Sequence, residues 1–232
     1  MPDMSDSETP VPASTAPPTE PPVVAVLGGT GPQGRGLARR FALAGVSVVL
    51  GSRDAARAQA AAAELPGAVS GASNAEAAAA GDVVIVAVPW EGHGDLLASL
   101  AAELAGKIVV DCVNPLGFDK QGAFALAVAE GSAAEQARAV LPESTVVAAF
   151  HHVSAVLLLD EDVEQVAIDV LVLGDDREAT DLVQALVDRI PGMRGVYAGR
   201  LRNAHQVEAL TANLISVNRR YKVHACLRVT DV

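Results

Sequence analysis

Gly29, Gly31 and Gly34 close the run Val23-Val-Ala-Val-Leu-Gly-Gly-Thr-Gly-Pro-Gln-Gly-Arg-Gly36. A G-x-G-x-x-G spacing between an apolar strand and a helix offers one kind of chemistry, the binding of a dinucleotide pyrophosphate. Gly29 is expected to permit the tight turn out of the strand. Gly31 would let the backbone approach the pyrophosphate, and Gly34 would let the first helix pack closely on the strand. The anion then faces the helix N-terminus, where unpaired amides and the positive end of the dipole favour it. Pro32 suits the first helical turn, because its missing N–H costs little there. The donors that remain are the amides near Thr30, Gly31 and Gln33.

About 20 residues downstream, an NAD-binding chain carries an acidic residue that pairs with the ribose diol. This chain has Gly51-Ser52-Arg53 at that place, with Arg57 following. A hydroxyl and two guanidinium groups suit a 2′-phosphate better, since arginine grips phosphate with a planar fork. The sequence therefore predicts NADP(H). Asp54 reads as the N-cap of the next helix.

The switch-point rule places ligands beyond the carboxyl ends of the strands. The β-branched run Val83-Val-Ile-Val-Ala-Val88 ends in Pro89-Trp90-Glu91. Residues 87–91, with Val88, Pro89 and Trp90 among them, are expected to line the nicotinamide side. Trp90 is equally open to packing at a helix start. Asn114 could bond a carboxamide or ribose, or brace the turn before Pro115. His151 and His152 follow a strand, and adjacent strand residues point to opposite faces. The two rings then do not converge on a metal; His151 is expected to face the cleft, with its neighbour packing outside. No metal is assigned.

The elements that must position these residues alternate between strands and helices, which predicts an α/β fold: a Rossmann-like, doubly wound, mainly parallel sheet with a smaller helical and mixed C-terminal region. Strands are expected over Val46–Gly51, Ala68–Val69, Val83–Val88, Lys107–Asp111, Thr145–Ala149, Val166–Leu173 and Gly195–Gly199. Helices are expected over Asp54–Leu65, Asn74–Ala80, from Glu91 to about Leu104, over residues 121–141, over Arg177–Ile190, and from near Leu201 onward. On the first helix, Arg35, Arg39 and Arg40 read as a polar face opposite Leu37 and Phe41. On the last, Leu210, Leu214, Ile215 and Val217 read as one apolar face. The organisation is a disordered tail over residues 1–22, an NADP-binding domain over 23–155 and a C-terminal region over 156–232 that completes the cleft.

Composition narrows the class. The chain has 232 residues, half of them hydrophobic, enough for one large α/β domain. Its net charge of −11 argues against nucleic-acid binding. No apolar run reaches membrane-spanning length, so a soluble protein is expected. The Pro-, Ser-, Thr- and acid-rich start lacks the pattern of a secretory signal. Cys112 and Cys226 form neither a metal pattern nor a disulfide framework, which fits a reducing, cytoplasmic setting.

The ordered motifs resemble one family, the deazaflavin-dependent NADP reductases that pair NADP with coenzyme F420. The resemblance is carried by Leu27-Gly-Gly-Thr-Gly-Pro-Gln-Gly-Arg-Gly36, Gly51-Ser52-Arg53 with Arg57, Val88-Pro89-Trp90-Glu91, Phe150 to Ala155, Gly174-Asp175-Asp176, Ala198-Gly199 and Val207-Glu208-Ala209-Leu210-Thr211. It runs from about Val23 to the C-terminus. It implies direct, reversible hydride transfer between NADP(H) and coenzyme F420 held over its nicotinamide. Thr30, Gly31, Pro32 and Gln33 would hold the pyrophosphate, and Ser52, Arg53 and Arg57 the 2′-phosphate. Val88 and Ala155 would border the nicotinamide, and Thr211 the deazaflavin cleft. A homodimer is the family habit. His152 and Ser154 stand where the family pattern has Thr and Pro.

Hydride transfer between two cofactors needs alignment and dryness rather than a protein acid or base, so no catalytic residue is assigned. Neither Tyr197 nor Tyr221 has a lysine four residues on, which argues against a short-chain dehydrogenase. Two other functions stay open: an NADPH-dependent reductase of a small imine, ketone or acid with His151 or Asn114 as proton donor, and a non-catalytic NADP(H) sensor.

Overall fold

The computed structural model describes residues 21–232, so residues 1–20 of the expected tail lie outside it. The chain first alternates regularly: β1 (Val24–Leu27), α1 (Pro32–Leu43), β2 (Val48–Ser52), α2 (Ala55–Ala63), β3 (Val69–Ser73), α3 (Asn74–Ala80), β4 (Val83–Val86), α4 (His93–Ser99), α5 (Ala101–Leu104) and β5 (Ile108–Asp111). A hairpin follows, β6 (Leu116–Asp119) and β7 (Gly122–Ala125). Then come α6 (Ala133–Val140), β8 (Thr145–Ala148), α7 (Ala155–Leu159), β9 (Ile168–Gly174), α8 (Arg177–Asp188), β10 (Met193–Gly199) and α9 (Ala204–Tyr221).

The main sheet runs β10-β9-β8-β5-β4-β1-β2-β3. Pairings from β3 through β8 are parallel, β9 is antiparallel to β8, and β10 is parallel to β9. Strand order reverses between β1 and β4, which opens the crevice where doubly wound folds bind ligands. The C-terminal strands β9 and β10 extend this same sheet.

Burial on both faces explains the unbroken apolar strands. In β1, Val24 and Val26 join Leu37, Phe41 and Leu50 in one core, while Ala25 and Leu27 join Val84, Val86, Leu97 and Leu104 in the other. Each fully buried Val or Leu contributes about 1.5–3 kcal/mol, more than the ~1 kcal/mol of a cap. The caps fix where helices begin: the Asp54 carboxylate for α2, a reciprocal Ser73–Glu76 box for α3, Ser132 for α6 and Asp176 for α8. Among the described residues, no helix is long and apolar enough to cross a membrane.

Four expectations are corrected. Residues 121–131 are not helical. Asp119 Oδ1 accepts from the Gln121 and Gly122 amides, and this turn folds residues 116–125 into the hairpin. The helix expected up to Leu104 breaks at Leu100 into α4 and α5. Arg40 lies inside, 3 % exposed, and not on the polar face. Its guanidinium donates to the carbonyls of Leu157, Leu158, Asp160 and Val163 and so ties α1 to the end of α7. The buried face of α9 is Ala204, Val207, Glu208 and Ala212. Leu210, Leu214 and Ile215 are only half-buried there, and Val217 is exposed.

Candidate functional site

Gly28, rather than Gly29, makes the turn after β1. Its φ is +71°, and a Cβ there would lie 2.5 Å from the Ala87 carbonyl oxygen. Gly29 donates its amide to the Gly51 carbonyl at 3.0 Å, which ties the turn to β2. Gly34 acts as expected, because a Cβ on it would sit 2.8 Å from Gly29 Cα and push α1 off the turn. At Gly31 the space is open: beyond its chain neighbours, a Cβ would meet only Gly28 O, at 3.5 Å. The Gly31 amide donates to Gly28 O at 3.0 Å. The Thr30 and Gln33 amides have no main-chain partner outside the helix among the described residues, so they are the donors left for an anion.

A cleft of about 460 Å³ opens beside this turn. It brings together Thr30, Gly31, Ser52, Arg53, Arg57, Val88 and Pro89 from three separate βα connections. Ser52 Oγ accepts from the Asp54 amide at 3.2 Å, which leaves the hydroxyl proton free. Asp54 Oδ1 accepts from Ala56 and Arg57, the expected N-cap. Arg53 and Arg57 are exposed and form no ion pair among the described residues. In a chain of net charge −11, these two cations gather in one cleft, which Asp54 and Glu91 also line.

Asn74 was missed from sequence. It is 8 % exposed, lines the cleft, and its Oδ1 has no hydrogen-bond partner. The sequence shows it only as the first residue of an expected helix, with no local motif that points to the cleft. The open place at Gly31 and the two guanidinium groups suit a phosphate-bearing ligand, and the Asn74 Oδ1 is left to accept from a donor group such as a hydroxyl.

The remaining candidates fall elsewhere. Pro32 and Gln33 begin α1, and the Gln33 side-chain Nε2 donates to the Phe150 carbonyl at 3.5 Å. Phe150 has φ +64°, a conformation that costs a non-glycine residue roughly 1–2 kcal/mol. Its ring stays in the core, edge-on to Phe41 at 6.0 Å. The left-handed step turns the chain into His151, whose carbonyl accepts from Asn114 Nδ2 at 2.8 Å and from Thr211 Oγ1 at 3.0 Å. Thr211 thus reaches the ends of β5 and β8 from α9. Ala155 starts α7 just beyond. Trp90 does not line the cleft. It packs on the second core with its ring 5.7 Å from that of His93, the packing alternative.

The histidines are also corrected. They sit in a turn after β8, and both are buried. His152 Nε2 accepts from the Leu171 amide at 3.2 Å, so this ring is held inside rather than outside the fold. Burial pushes His151 down to about 4 against a weaker opposing pull from Asp111. Burial, reinforced by His151, likewise brings His152 to about 4. Both rings are neutral at neutral pH.

Sequence reasoning missed one more arrangement, a His93–Asp111 pair. His93 Nε2 lies 2.6 Å from Asp111 Oδ2, and both side chains are fully buried. Glu208 is buried nearby, accepting from the Ala133 and Ala134 amides at 3.0 and 3.2 Å. No local spacing announces these groups.

Fold and cleft define a Rossmann-type α/β protein with an arginine-bearing cleft beside its glycine turn. The chain belongs to the family of NADP oxidoreductases that depend on coenzyme F420. That family's sequence model, described as NADP oxidoreductase coenzyme F420-dependent, matches residues 23–115. The F420-dependent NADP reductase of Methanothermobacter thermautotrophicus is 40 % identical over 221 residues, covering 90 % of this chain and 95 % of that protein. Its counterpart in Methanocaldococcus jannaschii is 38 % identical, covering 90 % and 98 %. A solved, provisionally named F420-dependent NADP reductase from Arthrobacter sp. FB24 superimposes with a TM-score of 0.77 at 28 % identity, covering 89 % of this chain and 98 % of that one.

Proposed function

We propose that this chain transfers a hydride directly and reversibly between NADP(H) and coenzyme F420. The observation that carries this is the rim of Ser52, Arg53 and Arg57 beside the Thr30–Gly31 turn, in a chain of this family. Bound NADPH supplies a hydride at its nicotinamide, and the deazaflavin ring is the acceptor. The protein's part is to bind, align and keep dry. Thr30, Gly31, Pro32 and Gln33 would hold the pyrophosphate at the α1 N-terminus. Ser52, Arg53 and Arg57 would grip the 2′-phosphate, with Asn74 beneath them. Val88, Pro89 and Ala155 would border the nicotinamide, and the His151–Thr211 bond ties α9 of region 156–232 to region 23–155 to complete the deazaflavin side.

A small imine or ketone substrate would need a proton donor. The Asn114 amide is engaged by His151 O, and the His151 ring is buried and neutral, which favours the two-cofactor reading.

The same proposal includes a cytoplasmic homodimer. Its support is an apolar stripe on α9, Leu210, Leu214, Val217 and Tyr221 at helical spacing, with Tyr221 70 % exposed, beside a hairpin that exposes Phe118 and Phe124. The free thiols Cys112 and Cys226 suit a reducing compartment. Light scattering of the purified chain tests the stoichiometry; a monomer that stays monomeric at high concentration rejects it.

The reaction is tested by mixing the purified protein with NADP+ and reduced coenzyme F420 and following the oxidised deazaflavin absorbance near neutral pH. Catalysed oxidation that weakens in Arg53→Ala is expected. Binding of NADP+ without any oxidation overturns the proposal.

A further inference from the structure

One wall of the cleft and a ridge beyond its lining residues come from different strands, and a buried pair joins them. The wall is the β4–α4 connection, with Ala87, Val88, Pro89, Glu91 and Gly92 facing the cleft. Gly92, at φ +82°, turns the chain so that His93 opens α4 pointing inward. His93 Nε2 meets Asp111 Oδ2 at 2.6 Å, and Nδ1 meets Gln136 Oε1 at 3.0 Å. The Gln136 amide is oriented by its Nε2, which donates to Glu130 at 3.3 Å. Both imidazole nitrogens therefore face acceptors and both must carry hydrogen. Burial pulls the imidazole's pKa down, yet the Asp111 hydrogen bond and charge, with Gln136 and Glu208, hold it above the ordinary value.

Asp111 ends β5 and anchors the ridge. Its Oδ1 accepts from the Val113 amide at 3.0 Å and so shapes the loop that carries Asn114. Asn114 in turn holds the His151 carbonyl that Thr211 also bonds. One continuous set of contacts thus runs from the Val88–Gly92 wall through His93, Asp111 and Val113 to Asn114, His151 and Thr211. A buried ion pair is a weak source of stability, because desolvation offsets its attraction. Its directional bonds do define one geometry for the parts they join.

We propose that His93 and Asp111 are positioning residues: a buried pair that sets the spacing between the β4 wall and the Asn114–His151–Thr211 ridge, and with it the place of the nicotinamide ring. Neither side chain touches a cofactor. The proposal rests on the cleft being the NADP(H) site.

The variants His93→Gln, Asp111→Asn and the double variant test it. Asp111→Asn keeps an acceptor for Val113 and the side-chain shape, so it serves where His93→Gln does not fold. Two readouts report on the nicotinamide end: the emission of bound NADPH at saturation, and the single-turnover rate of hydride transfer to coenzyme F420 with NADPH and with its deuterated form. A third is the dissociation constant for NADP+, dominated by the phosphate contacts at the other end. Each single variant is expected to change the bound emission and to slow transfer about 10- to 100-fold, the scale of a 1 Å misplacement. NADP+ affinity stays at the wild-type value, and the double variant falls no further than the singles. Wild-type emission and transfer below the melting temperature overturn the proposal, and so does NADP+ affinity that falls in step with the rate. If the wild type itself transfers no hydride to coenzyme F420, the proposed reaction fails, and the bound emission alone still decides the positioning role.

Discussion

The Thr211 hydroxyl donates to the His151 carbonyl at 3.0 Å, joining α9 to the turn that follows β8. Asn114 donates to the same oxygen, so both of its lone pairs are used. Thr211→Val keeps the branched shape and removes the donor. One neutral hydrogen bond is worth about 1 kcal/mol, so the variant should stay folded and melt slightly lower. Hydride transfer should slow about tenfold as α9 loosens over the cleft, with NADP+ affinity unchanged. Stopped-flow transfer and NADP+ titration check this; equal losses in both would place Thr211 in NADP+ binding instead.

The two inner glycines of the turn should fail differently. Gly34→Ala puts a Cβ 2.8 Å from Gly29 Cα, against backbone that cannot move aside. Overpacking of that kind costs about 1–3 kcal/mol and should appear as a lower urea midpoint. Gly31→Ala meets only Gly28 O, at 3.5 Å, and its φ of −79° suits alanine. That variant should unfold like the wild type yet bind NADP+ about tenfold or more weakly, because the methyl group occupies the space where the pyrophosphate comes in. Titration and urea unfolding on the same samples separate the two effects, and wild-type NADP+ affinity in Gly31→Ala would reject that pose.

Much of the sheet was legible because burial on both faces leaves unbroken runs such as Val83–Val86, and the Asp54 cap was legible because capping is local. The hairpin was not. Alanines at 123, 125, 127 and 129 favour a helix by propensity although their alternation is that of a strand, and the turn at Asp119–Gly122 decides for the hairpin. Arg40 was misplaced because its charge outweighed its position. It follows Leu37 by three and precedes Phe41 by one, within the buried arc of α1, where four carbonyls at the α7 end satisfy it. The glycine turn and the clustering of the arginine rim beside it could be seen because both lie in short motifs. Asn74 and the His93–Asp111 pair could not, since their partners and cleft neighbours lie on other strands.

The arginine rim should control selectivity between the two nicotinamide dinucleotides. A charge-assisted hydrogen bond contributes about 1.5–3 kcal/mol, less where solvent screens it, as at the exposed Arg53 and Arg57. Arg53→Ala or Arg57→Ala should weaken NADP+ binding about tenfold each, the double variant more, and leave NAD+ binding nearly unchanged. Calorimetric titration of both dinucleotides decides: parallel losses for NADP+ and NAD+ would remove the 2′-phosphate from this rim.

Stability should fall in acid through the two buried histidines. Both His151 and His152 are brought from the ordinary 6.5 to about 4. Between those values the unfolded chain binds protons that the folded chain refuses, so stability drops as pH falls through this window. Each pKa unit corresponds to about 1.4 kcal/mol, so the two rings together can remove several kcal/mol by the bottom of it. Glu208 acts in the opposite sense. Burial raises its carboxyl to about 7, so its contribution is complete below the ordinary 4.5 and is lost as pH rises through about 7. The wild type should therefore weaken towards both ends of the range. Glu208→Gln should reduce the loss on the alkaline side, leaving the share of His93, whose raised pKa acts in the same sense, and keep the loss in acid. Urea unfolding at intervals from pH 4 to pH 8 tests both halves. Stability that rises on acidification below pH 6 would mean that the histidines are not held neutral in the fold.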